Sequence, residues 1–236
     1  MSLKNLPKPH KSGVLLIDKP ADFSSHDIIA IVRRVLRTKT IGHSGTLDPM
    51  ATGLLILLVG REATKRQAEF LKLSKTYQAV LKLGVETDTW DRYGEPVQNC
   101  PIPTISALHL QQAIAQLSGT ISQQIPPFSA KKIKGEKMYD LARKGVTLAP
   151  RYSEVSVIWK DVEQISPSEI SFTLTGSSGT YVRSLGYMLA KKLGTGGHLS
   201  ALRRTNIGPY CVSNAFDGNL LKNCETDTLY NWVHAL

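Results

Sequence analysis

The chain has 236 residues, of which 42% are hydrophobic and 20% charged, and this composition predicts a soluble globular protein with one large or two small domains. The sequence contains no apolar stretch long enough to cross a membrane, no signal peptide and only three scattered cysteines, so we expect a cytoplasmic protein without a disulfide framework or a metal site. The net charge of +10 favours a polyanionic partner such as a nucleic acid.

Hydrophobic patterns in the first third of the chain predict four elements. These are a buried strand over 13–20, a helix over 24–39, an element buried on both faces over 54–60 and a helix over 61–73. For the first helix, Ser24 or Ser25 is the expected N-cap, and Asp27 suits the first turn. Its expected buried stripe consists of Ile28, Ile31, Val32 and Val35.

The rest of the chain mixes strands and helices in irregular order. Strands are expected over 75–89, 153–165 and 168–179, and helices over 104–119 and 180–194. In the first of these strands, Tyr77, Ala79, Leu81 and Leu83 share one face, and the acidic stretch 86–95 is expected to form a solvent-exposed hairpin. This order predicts an α+β fold with a mixed, mainly antiparallel central sheet flanked by helices.

Two clusters of basic residues sharpen the prediction of a nucleic-acid partner. Residues 33–39 contain four basic residues and no acid, and residues 131–144 contain six against two acids. The second cluster follows two prolines and is consistent with a basic insertion that projects from the fold. The alternative for either cluster alone is a solvated face without a partner.

A glycine-rich loop contains an aspartate in a stretch that is otherwise free of charge. The sequence "IGHSGTLDPMATGLL" spans 41–55, and Asp48 has glycine, proline and small residues around it. Because glycine lets the backbone approach a ligand closely, Asp48 is a candidate catalytic carboxylate. The alternative is structural, since Asp-Pro is common in turns.

Other residues narrow the chemistry that this carboxylate could perform. The sequence has no nucleophile elbow, no P-loop and no dinucleotide fingerprint, so no nucleotide cofactor is expected. Arg183, after the glycine-rich turn "GSSGTYVRSLG", is a possible partner for Asp48, although such a pair can also be structural. A carboxylate without a metal suits chemistry at a sugar C1′, which together with polyanion binding points to a glycosidic bond in a nucleotide.

Five motifs in one order resemble the TruB family of tRNA pseudouridine-55 synthases. The motifs are "GVLLIDKPADFSSHD", "GHSGTLDPMATGLL", "SKTYQAVLKLGVETDTWD", "GTYVRSLG" and "GGHLSALRRTNIGPY", which together span residues 13 to about 210. The resemblance implies the pseudouridine synthase fold with a basic insertion, and an isomerase that needs neither metal nor cofactor.

The resemblance also implies roles for residues of the second and third motifs. Asp48 matches the catalytic aspartate of the family. His43 matches the residue that enters the T-loop and helps to displace the target base. Tyr77 matches the aromatic residue that stacks on the flipped uracil, although the alternation along its strand would also suit a core tyrosine.

The fourth and fifth motifs supply three further residues. Arg183 matches the partner of the aspartate, Tyr181 matches a residue that lies against the nucleotide, and Leu202 matches an apolar wall of the pocket. No metal ligand is implied.

The expected activity is isomerisation of the T-loop uridine of tRNA to pseudouridine, by a monomer that binds the T-arm and no membrane. We expect a catalytic domain over 1–210, with the basic insertion at about 123–152, and a tail over 211–236 too short for the family's C-terminal PUA-type domain. The insertion motif "QIPPFSAKKIKG" also departs from its usual form. Two alternatives stay open: a tRNA-folding chaperone with incidental catalysis, and a glycosylase that removes the base by hydrolysis.

Overall fold

The computed structural model describes residues 12–129 and 149–236, and the backbone of residues 132–133 and 136–137. The described residues form two compact units. Unit 1 contains the residues up to Lys75 and those from Arg203 onward, and unit 2 contains Thr76–Leu202.

The elements follow each other along the chain as follows. The first eleven are β1 (Gly13–Lys19), α1 (Ser25–Val35), β2 (Ile41–His43), β3 (Thr52–Val59), α2 (Arg61–Lys65), α3 (Gln67–Lys72), β4 (Lys75–Leu83), β5 (Val85–Thr87), β6 (Pro96–Asn99), α4 (Ala107–Ala115) and β7 (Gly119–Gln124). The next are β8 (Lys132–Ile133), β9 (Glu136–Lys137), β10 (Tyr152–Ser166), β11 (Glu169–Gly176), α5 (Val182–Lys192) and β12 (Gly197–Ile207). The last are β13 (Tyr210–Cys211), a 3-10 helix (Val212–Asn214), β14 (Phe216–Asp217), a second 3-10 helix (Gly218–Asn223), α6 (Thr226–Asn231) and β15 (Val233–His234).

The strands of unit 1 are arranged around β1 and β3. These two strands pair in antiparallel fashion along their whole length, from Gly13 opposite Val59 to Lys19 opposite Gly53. Strand β2 pairs antiparallel with β3, while β14 and β15 pair with β1, the former in parallel. Strand β3 is buried almost throughout, as its apolar sequence predicts.

The helices of unit 1 lie where the sequence patterns predict them, but the buried stripe of α1 and the continuity of the second predicted helix differ. Ser24 caps α1, and the Ser24 and Asp27 side chains form a reciprocal capping box. The buried stripe is Ile28, Ile29, Val32 and Leu36, so the predicted Ile31 and Val35 are only half-buried. The single helix predicted over 61–73 is wrong, because the chain breaks at Arg66 into the short helices α2 and α3.

In unit 2 the strand order is β12, β4, β11, β10, β7. The pairs of β10 with β11 and with β7 are antiparallel. Tyr77, Ala79, Leu81 and Leu83 are all buried on one face of β4, as the alternation predicts. The predicted α+β class with a mainly antiparallel sheet and flanking helices is confirmed.

Two parts of the chain were not predicted in their observed form. Strand β12 had no predicted element, and it crosses the unit boundary between Leu202 and Arg203. The stretch 86–95 lies in the predicted hairpin between β5 and β6, but Trp90 and Asp91 within it are buried rather than exposed to solvent.

Of the basic cluster 131–144, only the backbone pairing of β8 with β9 lies in the described part of the chain, and the side chains of the cluster lie outside it.

Candidate functional site

The six predicted site residues are divided between the two units. Unit 1 holds His43 and Asp48, and unit 2 holds Tyr77, Tyr181, Arg183 and Leu202.

Asp48 lies in the loop that joins β2 to β3. Its neighbours Leu47 and Met50 are buried, while Asp48 itself is half-buried. The Ser25 hydroxyl fixes the loop to α1, because it accepts a hydrogen bond from the Leu47 N–H at 2.9 Å and donates one to the Leu47 carbonyl at 3.2 Å. The Ala51 N–H donates to the Asp48 carbonyl at 3.1 Å, so Asp48 does sit in a turn, whose closing bond uses its main chain. The turn and the catalytic interpretations are thus compatible.

A buried lysine supports the loop from the end of β1. Lys19 has no exposed surface, and its ammonium donates to the carbonyls of Phe23 at 2.7 Å, Pro20 at 2.8 Å and Pro49 at 3.4 Å. Burial lowers the pKa of Lys19 from 10.5 to about 8, and the negative charge of Asp48 acts in the opposite direction. Lys19 therefore holds the residue after Asp48 and also interacts electrostatically with the carboxylate.

A buried arginine supports the same loop from β12. Arg204 is 1% exposed, and its guanidinium donates to the carbonyls of Leu54 at 2.7 Å, Gly45 at 3.2 Å and Thr46 at 3.5 Å. Strand β12 reaches this position because it pairs in parallel with the start of β3, where Arg204 faces Gly53. At Gly53 φ is +101°, and a Cβ there would collide with the main chain of Arg204, so only glycine fits.

His43 occupies the end of β2 with a defined tautomer. The Gly45 N–H donates to His43 Nδ1 at 3.1 Å, so the neutral ring carries its proton on Nε2. Burial lowers the pKa of His43, and the nearby charges of His26 and Arg204 lower it further. His43 is therefore a neutral hydrogen-bond donor at physiological pH.

Arg183 ties three segments of unit 2 together. It lies in the first turn of α5 and is 4% exposed. Its guanidinium donates to the carbonyls of Thr89 at 2.8 Å and Phe128 at 2.9 Å, and its Nε lies 3.7 Å from Asp91 Oδ2. The predicted role of Arg183 as partner of Asp48 stays a prediction.

Asp91 is the functional candidate that the sequence patterns missed. It is 6% exposed and accepts hydrogen bonds from the Thr89 hydroxyl at 2.7 Å and the Tyr93 N–H at 2.9 Å, which orient it toward Arg183. Its neighbour Trp90 adopts φ +59° and stacks on Tyr187 with a centroid distance of 4.3 Å. A tryptophan within an acidic turn was the signal that this stretch is not a solvent-exposed hairpin.

The three remaining predicted residues are all in ordered elements of unit 2. Tyr77 is 8% exposed on the buried face of β4, which is the position expected of either a core residue or a pocket wall. Leu202 is also buried, and Tyr181 is the half-buried N-cap residue of α5. Their roles toward a nucleotide stay predictions.

Two features are absent from the described residues, 12–129 and 149–236. Among them, no group of three or more histidine, cysteine and acidic side chains is placed to hold a metal ion. No helix in the same part of the chain is long and apolar enough to span a membrane.

The sequence matches a family model described as TruB family pseudouridylate synthase (N terminal domain) over residues 33–182. This range includes His43, Asp48, Tyr77 and Tyr181, while Arg183 and Leu202 follow it.

Several curated proteins named tRNA pseudouridine synthase B are similar over most of their length. The protein from Protochlamydia amoebophila is 39% identical over 229 residues, which cover 95% of this chain and 86% of the relative. The protein from Opitutus terrae is 40% identical, and the match covers 89% of this chain and 86% of the relative. The protein from Chlamydia pneumoniae is 37% identical, and the match covers 92% of each chain.

Solved structures confirm the predicted pseudouridine synthase fold. A chain of a Cbf5-Nop10-Gar1 complex matches with a TM-score of 0.70 and 24% identity over 94% of this chain and 60% of its own. A chain of an H/ACA RNP bound to a substrate RNA containing 2'-deoxyuridine matches with a TM-score of 0.65 and 24% identity, covering 89% of this chain and 52% of its own. At this level of identity, the likeness concerns the fold alone.

Proposed function

Because the chain belongs to the TruB family of pseudouridylate synthases, we propose that it is an isomerase that converts the T-loop uridine of tRNA (position 55) to pseudouridine. The N1–C1′ bond breaks, the uracil rotates while it stays bound, and C5 bonds to C1′. C5 loses its proton and N1 gains one, so the product is an isomer of the substrate. The reaction needs no co-substrate because no group leaves.

The observation that carries this proposal is similarity over nearly the whole chain to proteins named for this activity. The match to the Protochlamydia amoebophila protein covers 95% of the chain. The loop of Asp48 is also held in place, because its carbonyls accept hydrogen bonds from Ser25, Lys19 and Arg204. A loop anchored in this way can keep a carboxylate in one position during a reaction.

Asp48 is the proposed catalytic residue, and two roles suit it. As a nucleophile it attacks C1′ and forms a covalent intermediate, and as a base it removes a proton from the ribose. A tRNA deuterated at the ribose C2′ distinguishes the two, because a slower reaction identifies proton removal at that carbon.

The other predicted residues are proposed to bind the displaced nucleotide. Extruding a base costs a few kcal/mol, and stacking on the ring of Tyr77 would return about 1–3 kcal/mol. We propose that His43 enters the T-loop, that Tyr181 lies against the nucleotide and that Leu202 lines the base pocket. Arg183 is proposed to support the carboxylate chemistry.

We further propose that a monomer recognises the T-arm and that the reaction takes place in the cytoplasm, where tRNA is the substrate. The positive net charge of +10 supports binding to the phosphate backbone. The proposed domain division into 1–210 and 211–236 is part of the same hypothesis.

Incubation with unmodified tRNA, followed by digestion and nucleoside analysis, tests the proposal. We expect one pseudouridine per tRNA, no free uracil, and retained tRNA binding with almost no product for Asp48→Asn, because an amide is neither nucleophile nor base. Free uracil would instead identify a glycosylase. A full effect of Asp48→Asn on tRNA folding, although this variant forms no product, would identify a chaperone with incidental catalysis.

A further inference from the structure

A fully buried glutamine in β7 connects the sheet of unit 2 to the turn before α5. Gln123 has no exposed surface. Its Oε1 accepts a hydrogen bond from the Tyr181 N–H at 2.9 Å, and its Nε2 donates to the Gly179 carbonyl at 2.6 Å and the Ser153 hydroxyl at 3.2 Å. Both ends of the amide are therefore used, and two of its three partners belong to one turn.

This turn depends on hydrogen bonds because one side of it is open. Gly179 is exposed with φ +89°, and a Cβ added there would meet no atom within 4 Å. Within the turn, the Thr180 N–H donates to the Ser177 carbonyl at 3.2 Å. Gln123 adds two bonds from a rigid strand, and a buried amide whose donor and acceptor are both satisfied fixes its partners in one geometry.

The same turn leads directly into two of the predicted site residues. Tyr181 ends the turn, and Arg183 follows two residues later in the first turn of α5. The chain that continues from Gln123 also contacts this region, since the Phe128 carbonyl accepts from Arg183 at 2.9 Å. A shift of the Gly179–Tyr181 turn would therefore move Tyr181 and the start of α5.

We infer that Gln123 is a positioning residue for the isomerisation, which acts by fixing the turn that carries Tyr181 and Arg183. This inference rests on the proposed function. Gln123 is not assigned a contact with the nucleotide. Its removal should therefore reduce the rate of the bound complex and leave tRNA affinity, which phosphate contacts dominate, nearly unchanged.

Two variants test the inference by single-turnover kinetics at saturating tRNA and by separate measurement of the tRNA Kd. Gln123→Met keeps the length of the side chain and removes all three bonds, and a misplacement of about 1 Å can slow a reaction about 100-fold. We expect a rate about 10- to 100-fold lower with a Kd within about threefold of wild type. Gln123→Glu keeps an acceptor for the Tyr181 N–H but sets a buried carboxylate against the Gly179 carbonyl, so its rate should be no higher than that of Gln123→Met.

The adjacent Gln124 provides the matched control, because it lies in the same strand with its side chain on the other face and is only half-buried. Gln124→Met should react within about twofold of wild type. All rates are expressed per folded molecule, from thermal unfolding and active-site titration. If Gln123→Met does not fold, Ser153→Ala replaces it: that variant removes one partner of the amide and should be slower by a few-fold.

A Gln123→Met rate within twofold of wild type would overturn the inference. So would a rate loss that is matched by an equal loss of folded protein, or a Gln123→Glu variant that reacts as fast as wild type. Failure of the proposed function is a separate result, because wild type itself would then form no pseudouridine.

Discussion

The buried Lys19 allows a quantitative test of how the Asp48 loop is supported. In Lys19→Met the side chain keeps its approximate volume, but the carbonyls of Phe23, Pro20 and Pro49 lose their donor. Hydrogen bonds to charged groups contribute about 1.5–3 kcal/mol each, and part of the loss is offset because methionine is buried without desolvation of a charge. We expect the free energy of unfolding to fall by about 2 kcal/mol at pH 7.

The pH dependence of this difference follows from the lowered pKa of Lys19. Burial lowers that pKa from 10.5 to about 8, so between pH 8 and 10.5 the unfolded chain holds a proton that the folded protein has released. Stability rises with pH wherever the unfolded state binds more protons, by about 1.4 kcal/mol per pH unit for one group. The free energy of unfolding of wild type should therefore exceed that of Lys19→Met by about 2 kcal/mol at pH 7 and by about 4 kcal/mol at pH 9.5.

Urea unfolding followed by tryptophan fluorescence measures the difference at both pH values. Lys72→Met is the matched control, because Lys72 is exposed at the end of α3 in the same unit and its replacement should have the same small effect at pH 7 and 9.5. Burial also lowers the pKa of Lys75 to about 8. Because Lys75 is present in all three proteins, its contribution to the pH dependence cancels in their differences. A wild-type advantage over Lys19→Met that stays constant with pH would refute the reasoning.

Three predictions concern unit 2. Tyr77→Phe should keep most activity and Tyr77→Leu should lose about tenfold through lost stacking, as measured by pseudouridine formation; equal rates for leucine and tyrosine would identify a core residue. Arg183→Lys should lose about 100-fold in rate and also lower the melting temperature, because one ammonium cannot reach both the Thr89 and Phe128 carbonyls and leaves a buried acceptor unpaired; a wild-type rate per folded molecule would argue against the assigned role. Asp91→Asn should lower the free energy of unfolding by about 3 kcal/mol, since it leaves the buried guanidinium without its anion; urea titration unchanged from wild type would show that the 3.7 Å pair contributes nothing.

Local sequence patterns were sufficient to predict the elements in which buried residues recur at a regular spacing. The alternation of β4 and the Ser24 cap of α1 both appear in the structure as expected. The loop of Asp48 was also recognisable, because its glycines and proline form a local signal. In these cases the residues that determine the structure are neighbours in the sequence.

The supporting residues of the site could not be predicted because their partners are distant in sequence. Arg204 lay within a family motif but had no assigned role, yet it is buried against carbonyls about 150 positions earlier. Its strand has no clean alternation, so β12 had no predicted element. Asp91 was assigned to solvent for the same reason, since its burial depends on Arg183.

The two-segment construction of unit 1 has a consequence for how the chain folds during synthesis. Strand β1 leaves the ribosome first, but Val14 and Leu15 pair with His234 and Val233, and Ile17 pairs with Phe216, near the end of the chain. One edge of an apolar strand therefore stays open to aggregation until residues 216–234 have been synthesised. Unit 2 is continuous in sequence and has no such delay. A chain truncated after residue 202 would have β3 beside β1 and no strand on the other edge of β1, which makes such a product a substrate for chaperones and proteases.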